Sequence, residues 1–496
     1  MDFKSNSDTE LWSILENSSG EERGRILIEL GFRSLNKRDF NKAISFSQPA
    51  VELFKELKIK DQESIANYVY GSASRAQGEL NHSITALKSA CEGFREVGLE
   101  NLLGLACYEL ANAHIELGKF NEAEDSFVSS LNILTAVGDN FAVTQVGSEY
   151  GEFLGSQGLQ ARALEIFTQT KEFAKNLDDP LKVAYIEDRI AACLIELARG
   201  SEALDHLKTA LDIVSYAGSQ NQIAWALYRY GWTLQTFEYS HQALKILEES
   251  KKIFDELGDV RQKAKCDFQI AHVLHSLDEF EEADILYSQL KEVFSSFGDL
   301  ESHYLCEVNR GNNLSKTGDK ATAINIYKTL ISSIPEGHFE YIKRYARTEL
   351  AHCLNSEEFY KEALEQVEAI DISEYGDNRL ARLGYLNVWA RTLALNNRID
   401  DAEFALKEIL STELCKGLET TYAQALETLS MIAHIKGNDV EMLDLRGKAI
   451  SYYLAGADVN NARKLADNFA FAPSNSLSKL KEITQTPSGF KFGFTP

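Results

Sequence analysis

Stepped through forty residues at a time from residue 31, the chain presents a small side chain at every stop: Gly31, Gly71, Ala111, Gly151, Ala191, Gly231, Ala271, Gly311 and Ala351. Twelve residues after each lies a second small residue: Ala43, Ser83, Ala123, Ala163, Ala203, Ala243, Ala283, Ala323 and Ala363. Immediately before the first column stands a large residue (Leu30, Tyr70, Leu110, Tyr150, Ile190, Tyr230, Ile270, Leu350), with Arg310 the charged exception. A fixed period of this length makes each stretch one supersecondary unit, unable to bury its apolar face alone and obliged to stack on its neighbours. Two small columns per unit imply two close helix contacts per unit.

Between the columns the pattern is helix, turn, helix: an apolar stripe at i, i+3, i+4, i+7, a short polar break, and a second stripe. In the third unit Gly118 falls in a turn between a helix ending near Leu117 and one beginning near Asn121. Second helices are expected to stop at Gly98, Gly138, Gly218, Gly258 and Gly298, where glycine takes the left-handed conformation, with Asp139, Asp259 and Asp299 following as turn or capping residues. Only 6 of 496 residues are proline, and Pro473, Pro487 and Pro496 fall near the end, so the body is expected to be almost wholly helical.

The large-small pair, the Gly118-Lys119-Phe120 turn and the alanine twelve residues beyond the small residue resemble the tetratricopeptide repeat, in a 40-residue form. The resemblance covers residues 21–370 in nine units. With the period slipping to 39 it continues through Ala390 and Ala402 and, more faintly, Ser430, Gly437 and Ala449. It implies an all-α superhelix, an α-solenoid of about ten to eleven repeats. Residues 1–20 then form an N-terminal cap segment, 371–473 two divergent repeats and a capping helix near 459–469, and 474–496 a flexible aromatic and basic tail. The chain departs from the family pattern at Ser34, Ser74 and His114, where an aromatic is usual, and at Arg38, Ala198, Glu238, Asp278 and Glu358, where the turn glycine is missing.

In proteins of this kind one face of the first helix lines a concave groove where partners bind. Counted from the large column residue, the positions five and two before and two, five and six after fall on that side of the helix. This face collects Arg25, Arg75, Lys265 and Lys316 against Glu116, Glu152, Asp188 and Glu196, and so is neutral. The formal charge of -24 therefore lies on other surfaces, where it repels phosphate backbones and anionic lipid and argues against nucleic-acid and membrane partners. Aromatics concentrate at Trp225, Tyr228 and Trp232, three and four residues apart on one helix face. Tyr185 in the unit before and Phe268, His272 and His275 in the unit after hold equivalent positions, and Tyr68 and Tyr108 form a thinner patch. These residues mark either a recognition pocket for an apolar or aromatic anchor or simple filling of a tight inner curve. Asn112 and Asn312 stand where an Asn in related repeats clamps a peptide backbone, its amide offering both donor and acceptor; a solvated surface amide is the alternative.

Catalytic and cofactor chemistry finds little purchase. His272 and His275 lie one turn apart, but spacing places no third metal ligand beside them. His352 and Cys353 are adjacent, hence about 100° apart on a helix, with no glycine loop to form an oxyanion hole. No phosphate-binding glycine motif occurs, and Lys343, Arg344 and Arg347 read as a solvated basic face. The seven cysteines are scattered without a C-x-x-C pair and read as small buried residues in a reducing cytosol. No leader-like N-terminus or 18-residue apolar run is present. Phe490, Phe492 and Phe494 alternate as one side of a strand would, so the tail is a candidate for docking into a groove of this chain or another. The expectation is a non-enzymatic, cytoplasmic scaffold or adaptor for a protein or peptide segment, without cofactor. The alternatives are a peptide-sensing regulatory receptor, against which no helix-turn-helix precedes residue 21, and a structural subunit of a larger assembly.

Overall fold

The computed structural model describes residues 3, 6–237, 239–375, 379–411, 418–456 and 458–467. Phe490, Phe492 and Phe494, and with them the self-docking tail, lie outside the described residues, as does Glu238. Among the described residues every regular element is helical. The chain divides into two compact units, Met1–Ile186 and Glu187–Pro496.

In the first unit α1 (Asp8–Asn17) precedes the pairs α2 (Gly20–Asn36) and α3 (Phe40–Leu57), α4 (Lys60–Ala76) and α5 (Leu80–Val97), α6 (Glu100–Glu116) and α7 (Phe120–Val137), and α8 (Asn140–Ser156) and α9 (Gln160–Ala174). The unit boundary falls within α10 (Pro180–Glu196). The second unit continues with α11 (Gly200–Ala217), then α12 (Gln220–Thr236) and α13 (Ser240–Glu256), α14 (Val260–Ser276) and α15 (Phe280–Ser296), and α16 (Leu300–Thr317) and α17 (Lys320–Ser333). It ends with α18 (Glu340–Ser356) and α19 (Tyr360–Glu368), α20 (Arg379–Leu395) and α21 (Ile399–Ser411), α22 (Glu419–Ile435) and α23 (Asp439–Ala455), and α24 (Val459–Asp467). First helices thus start every forty residues from Gly20 to Glu340, and second helices every forty from Phe40 to Tyr360. One residue is lost at α20, after which the spacing returns at Glu419 and Val459.

The small columns explain why the helices of a pair approach so closely. A Cβ placed on Gly151 would come within 2.6 Å of the Phe167 ring sixteen residues on, and one on Gly311 within 2.6 Å of the Tyr327 ring. In these units, as with Leu87 on Gly71 and Leu247 on Gly231, a large side chain of the second helix lies directly on the backbone of the first, and in the second column Ala43, Ala123, Ala163, Ala243 and Ala323 are fully buried. Turns of two or three residues leave the chain no option but to reverse.

Those turns keep one geometry with or without glycine. Arg38, Ala198, Asp278 and Glu358, where the usual glycine is missing, hold φ of 58°, 58°, 63° and 64°, in the left-handed region that Gly118 occupies at 74°. Such a conformation costs a non-glycine residue about 1–2 kcal/mol, so helix packing imposes it. Second helices end in left-handed Gly98, Gly138, Gly258 and Gly298 as expected, and Asp139, Asp259 and Asp299 cap the helices that follow, accepting from backbone N–H groups at 3.0–3.1 Å. Gly218 departs from that expectation: it is extended, at φ -95° and ψ 169°. Ser219 starts α12 with a reciprocal capping box to Gln222, which draws the chain straight into the next helix. Glycine is needed at 218 for space, since a Cβ would meet the Val214 carbonyl oxygen at 2.6 Å.

Within each unit the first helices of successive repeats also touch one another, α2 with α4 and α4 with α6 in the first unit, and each of α12, α14, α16, α18 and α20 with the next first helix in the second. First helices are therefore flanked on both sides. From Ile223 to Thr236 α12 exposes no residue, whereas α13 exposes His241, Gln242, Lys245, Glu248, Glu249 and Lys252. Second helices form the solvent layer.

Candidate functional site

The face of the first helices that does not pack on its partner is half-buried, neither core nor open surface. In α12 Trp225, Tyr228, Trp232, Gln235 and Thr236, the five positions on that side of the wheel, are all partly buried. Trp225 meets Tyr228 edge to face at 5.6 Å and Phe254 at 5.7 Å, so one side of the indole is fixed by aromatic neighbours. Tyr228 accepts from the Gln269 amide of α14 at 3.5 Å, and burial raises its hydroxyl to about 12. Next along, Phe268 packs edge to face on His272 at 5.7 Å and on Tyr287 at 5.6 Å. Burial, helped by neighbouring His275, lowers His272 to about 4, so it is a neutral ring near pH 7. His275 donates from Nδ1 to Asn313 and packs on Phe280 at 5.3 Å.

Tyr185 falls in the first unit, 42% exposed, its hydroxyl donating to Glu152. In the same unit Tyr68 is half-buried between Phe32 and Phe94, and Tyr108 donates to Glu149 while accepting from Gln145 at 3.3 Å. The two asparagines are partly exposed and hydrogen-bonded within the chain itself. Asn112 donates to Glu149 at 3.4 Å; Asn312 donates to the Tyr345 hydroxyl at 2.8 Å and accepts from Tyr327.

What sequence reasoning missed is a ladder of polar ties between successive first helices. In the first unit Arg75 donates to Glu109 at 3.0 Å and Glu116 at 2.7 Å, followed by the Tyr108–Glu149 and Tyr185–Glu152 ties. In the second unit Arg229 grips Asp188 at 2.5 Å, followed by Tyr228–Gln269, His275–Asn313, Asn312–Tyr345 and Asn355–Thr392 at 2.7 Å. Four of these ties, Arg75–Glu116, Tyr108–Glu149, Asp188–Arg229 and Tyr228–Gln269, are 41 residues apart, one more than the repeat. Complementary residues at the period plus one are the signal that would have revealed them.

Three further placements bear on chemistry. Cys353 is buried, its thiol raised by burial and donating to Ser315 Oγ at 3.1 Å, while adjacent His352 is exposed; the two are not assembled as nucleophile and base. The supposed solvated basic face is paired instead. Lys343 is buried and donates to Glu340 at 3.0 Å and the Pro335 carbonyl at 3.1 Å, Arg344 pairs with Glu374, and Arg347 donates to Gln366 at 3.0 Å. The irregular Ile334–Phe339 link brings the Pro335 carbonyl to Lys343, and the Ile372–Tyr375 turn brings Glu374 to Arg344, neither of which a fixed period foresees. Among the described residues no three His, Cys, Asp or Glu side chains converge as a metal site, and no helix is long and apolar enough to cross a membrane.

Residues 105–133, covering most of α6 and α7, match the family model of the tetratricopeptide repeat. No curated protein matches the chain in sequence. Among solved structures it is similar to the Rap conjugation gene regulator of the plasmid pLS20, at 12% identity and a TM-score of 0.48 over 64% of this chain and 97% of that one. A Rap protein complexed with competence and sporulation factor is 14% identical, with a TM-score of 0.47 over 71% and 98%. A tetratricopeptide repeat protein from Parabacteroides merdae is 15% identical, with a TM-score of 0.42 over 57% and 98%. The matched repeat, and the recurrence of its helix pair in both units, make this an all-α protein of tetratricopeptide-repeat type.

Proposed function

We propose that the chain is a non-enzymatic scaffold that binds a protein or peptide segment along the half-buried face of its first helices, with the strongest anchorage in the second unit on α12 and α14. The supporting observation is that Trp225, Tyr228 and Trp232 share one face of α12 and are all only partly buried, although large rings elsewhere, such as Phe54, Phe94 and Phe127, are fully enclosed. An aromatic held by its edge and still partly wet presents a pre-positioned apolar surface, so a partner is spared the entropy of ordering it. Phe268 and the neutral His272 extend this surface without adding charge. On the same reading Tyr185, Tyr68, Tyr108 and Asn112 line the corresponding face of the first unit, and His275 and Asn312 that of the second, with Tyr108, Asn112, His275 and Asn312 held in place by internal hydrogen bonds.

Trp225→Ala/Trp232→Ala tests the reading. Well-buried aromatic anchors contribute about 2 kcal/mol each, so the double variant, folded as judged by circular dichroism, is expected to bind captured partners about a thousandfold more weakly. Equal capture by the two proteins refutes the anchor.

A further inference from the structure

The sulfurs of Cys91, on α5, and Cys107, on α6, lie 3.8 Å apart in the interior of the first unit. The position matters more than the distance. Moving both residues on by 160 reaches Lys251 and Asp267, an ion pair at 2.5 Å; moving on by 200 reaches Lys291 and Glu307, another at 2.5 Å. This slot, sixteen residues wide, joins the second helix of one repeat to the first helix of the next, and the fold uses it repeatedly for a tie between units. In the second and third repeats the slot holds two thiols, 7% and 5% exposed.

We propose that Cys91 and Cys107 are a reversible oxidation site at which a peroxide converts the contact between the second and third repeats into a covalent tie. The Cys107 thiolate attacks one oxygen of hydrogen peroxide; the O–O bond breaks, hydroxide leaves and takes a proton as water, and Cys107 becomes a sulfenic acid. The Cys91 sulfur then attacks the Cys107 sulfur, the S–S bond forms, and the S–O bond breaks to release a second water that carries off the Cys91 proton. In sum, two thiols and one peroxide give one disulfide and two waters. The roles follow from the surroundings. Either thiol can donate to the other; the Arg95 guanidinium favours the thiolate of both, and with Cys91 donating, that hydrogen bond holds Cys107 below the ordinary thiol range while the same contact and burial push Cys91 up. A disulfide needs the sulfurs at about 2.05 Å, so closure asks for a movement of under ~2 Å between helices already in contact. Because Tyr108 and Asn112 follow Cys107 on α6, the tie fixes the helix that carries them.

Full-length protein is treated with hydrogen peroxide, denatured, alkylated and mapped by mass spectrometry. Of the seven cysteines, five are expected to alkylate as before, while Cys91 and Cys107 appear as one cross-linked peptide pair, two hydrogens lighter and restored by dithiothreitol. In Cys91→Ser the cross-link is lost and Cys107 advances to the sulfinic acid. The proposal is overturned if the wild-type protein keeps both thiols alkylatable at peroxide levels that oxidise its other cysteines. It is equally overturned if either thiol links to a different cysteine, or if Cys107 over-oxidises in the wild-type protein as fast as in the variant.

Discussion

Glu349 on α18 offers the sharpest test of how the half-buried face is held together. Burial raises its carboxyl from the ordinary 4.5 to about 7, only partly countered by the Lys316 charge, and among the described residues no hydrogen bond or ion pair reaches it. A raised acid is disfavoured in its ionised form by the fold. Below about pH 4.5 folded and unfolded chains both carry the proton and nothing is lost; between 4.5 and 7 the unfolded chain ionises first and stability falls as pH rises. Above pH 7 the full cost is present, ~3 kcal/mol for a shift of this size. Glu349→Gln removes the charge and keeps the shape. It is therefore expected to leave stability unchanged near pH 4.5 and to raise it by ~3 kcal/mol at pH 8, about two orders of magnitude in hydrogen-exchange protection of the Glu340–Ser356 amides. Local exchange is the right assay because repeat arrays open by neighbouring units and a single melting transition blurs the site. An equal gain at pH 5 and pH 8, or none at pH 8, refutes the account of an unpartnered, desolvated carboxyl.

Two more outcomes follow from groups on other first helices. His272 has the opposite sign: lowered to about 4, it stays neutral in the fold while the unfolded chain takes up a proton below about 6.5, so acidification from 6.5 to 4 costs up to ~3 kcal/mol. His272→Phe is expected to abolish that acid-side loss; since Glu349 and His272 offset each other between pH 4.5 and 6.5, urea midpoints of His272→Phe should then fall as pH rises through that window and those of Glu349→Gln should rise, each more steeply than in the wild-type chain. Asp188 is only 4% exposed, with Arg229 at 2.5 Å and Arg189 at 2.7 Å; Asp188→Ala removes the acceptor these two partly exposed guanidinium groups share and is expected to cost about 1.5 kcal/mol, read from urea unfolding of the second unit, with a loss below about 0.5 kcal/mol refuting the tie.

The backbone architecture was readable because it rests on side-chain size at fixed intervals. Gly151 against Phe167 and Gly311 against Tyr327 are steric statements that survive any change of neighbours, and they place each pair of helices before any coordinates are known. Turn geometry was partly readable. Glycine marks it at 118, but Ala198 and Asp278 take the same left-handed shape because the helices on either side demand it, and Gly218 escapes because Ser219 caps the next helix. The binding face was readable as a position on the helical wheel and not as chemistry. Half-burial of Trp225 and Trp232 depends on how near the adjacent first helix comes, and the engagement of Asn312 depends on Tyr327 and Tyr345, fifteen and thirty-three residues away. Lys343 and Arg344 misled for the same reason, since Pro335 and Glu374 lie on segments that break the period, while Arg347 misled because its acceptor, Gln366, lies on the next helix nineteen residues away.

The ladder with its extra-residue offset has a consequence for how such a chain grows. Each rung is made from two unlike groups, a carboxylate facing a guanidinium or a phenol in some and a phenol facing an amide in others, so the modules are ordered neighbours and not interchangeable bricks. Copying the stretch that carries Asp188 and pasting it elsewhere would keep every steric match yet set down a desolvated carboxylate with no guanidinium across from it. Lengthening this protein by gene duplication therefore requires compensating substitutions at the seams, and shuffled arrangements should assemble their helices correctly and come apart first where the rungs no longer match.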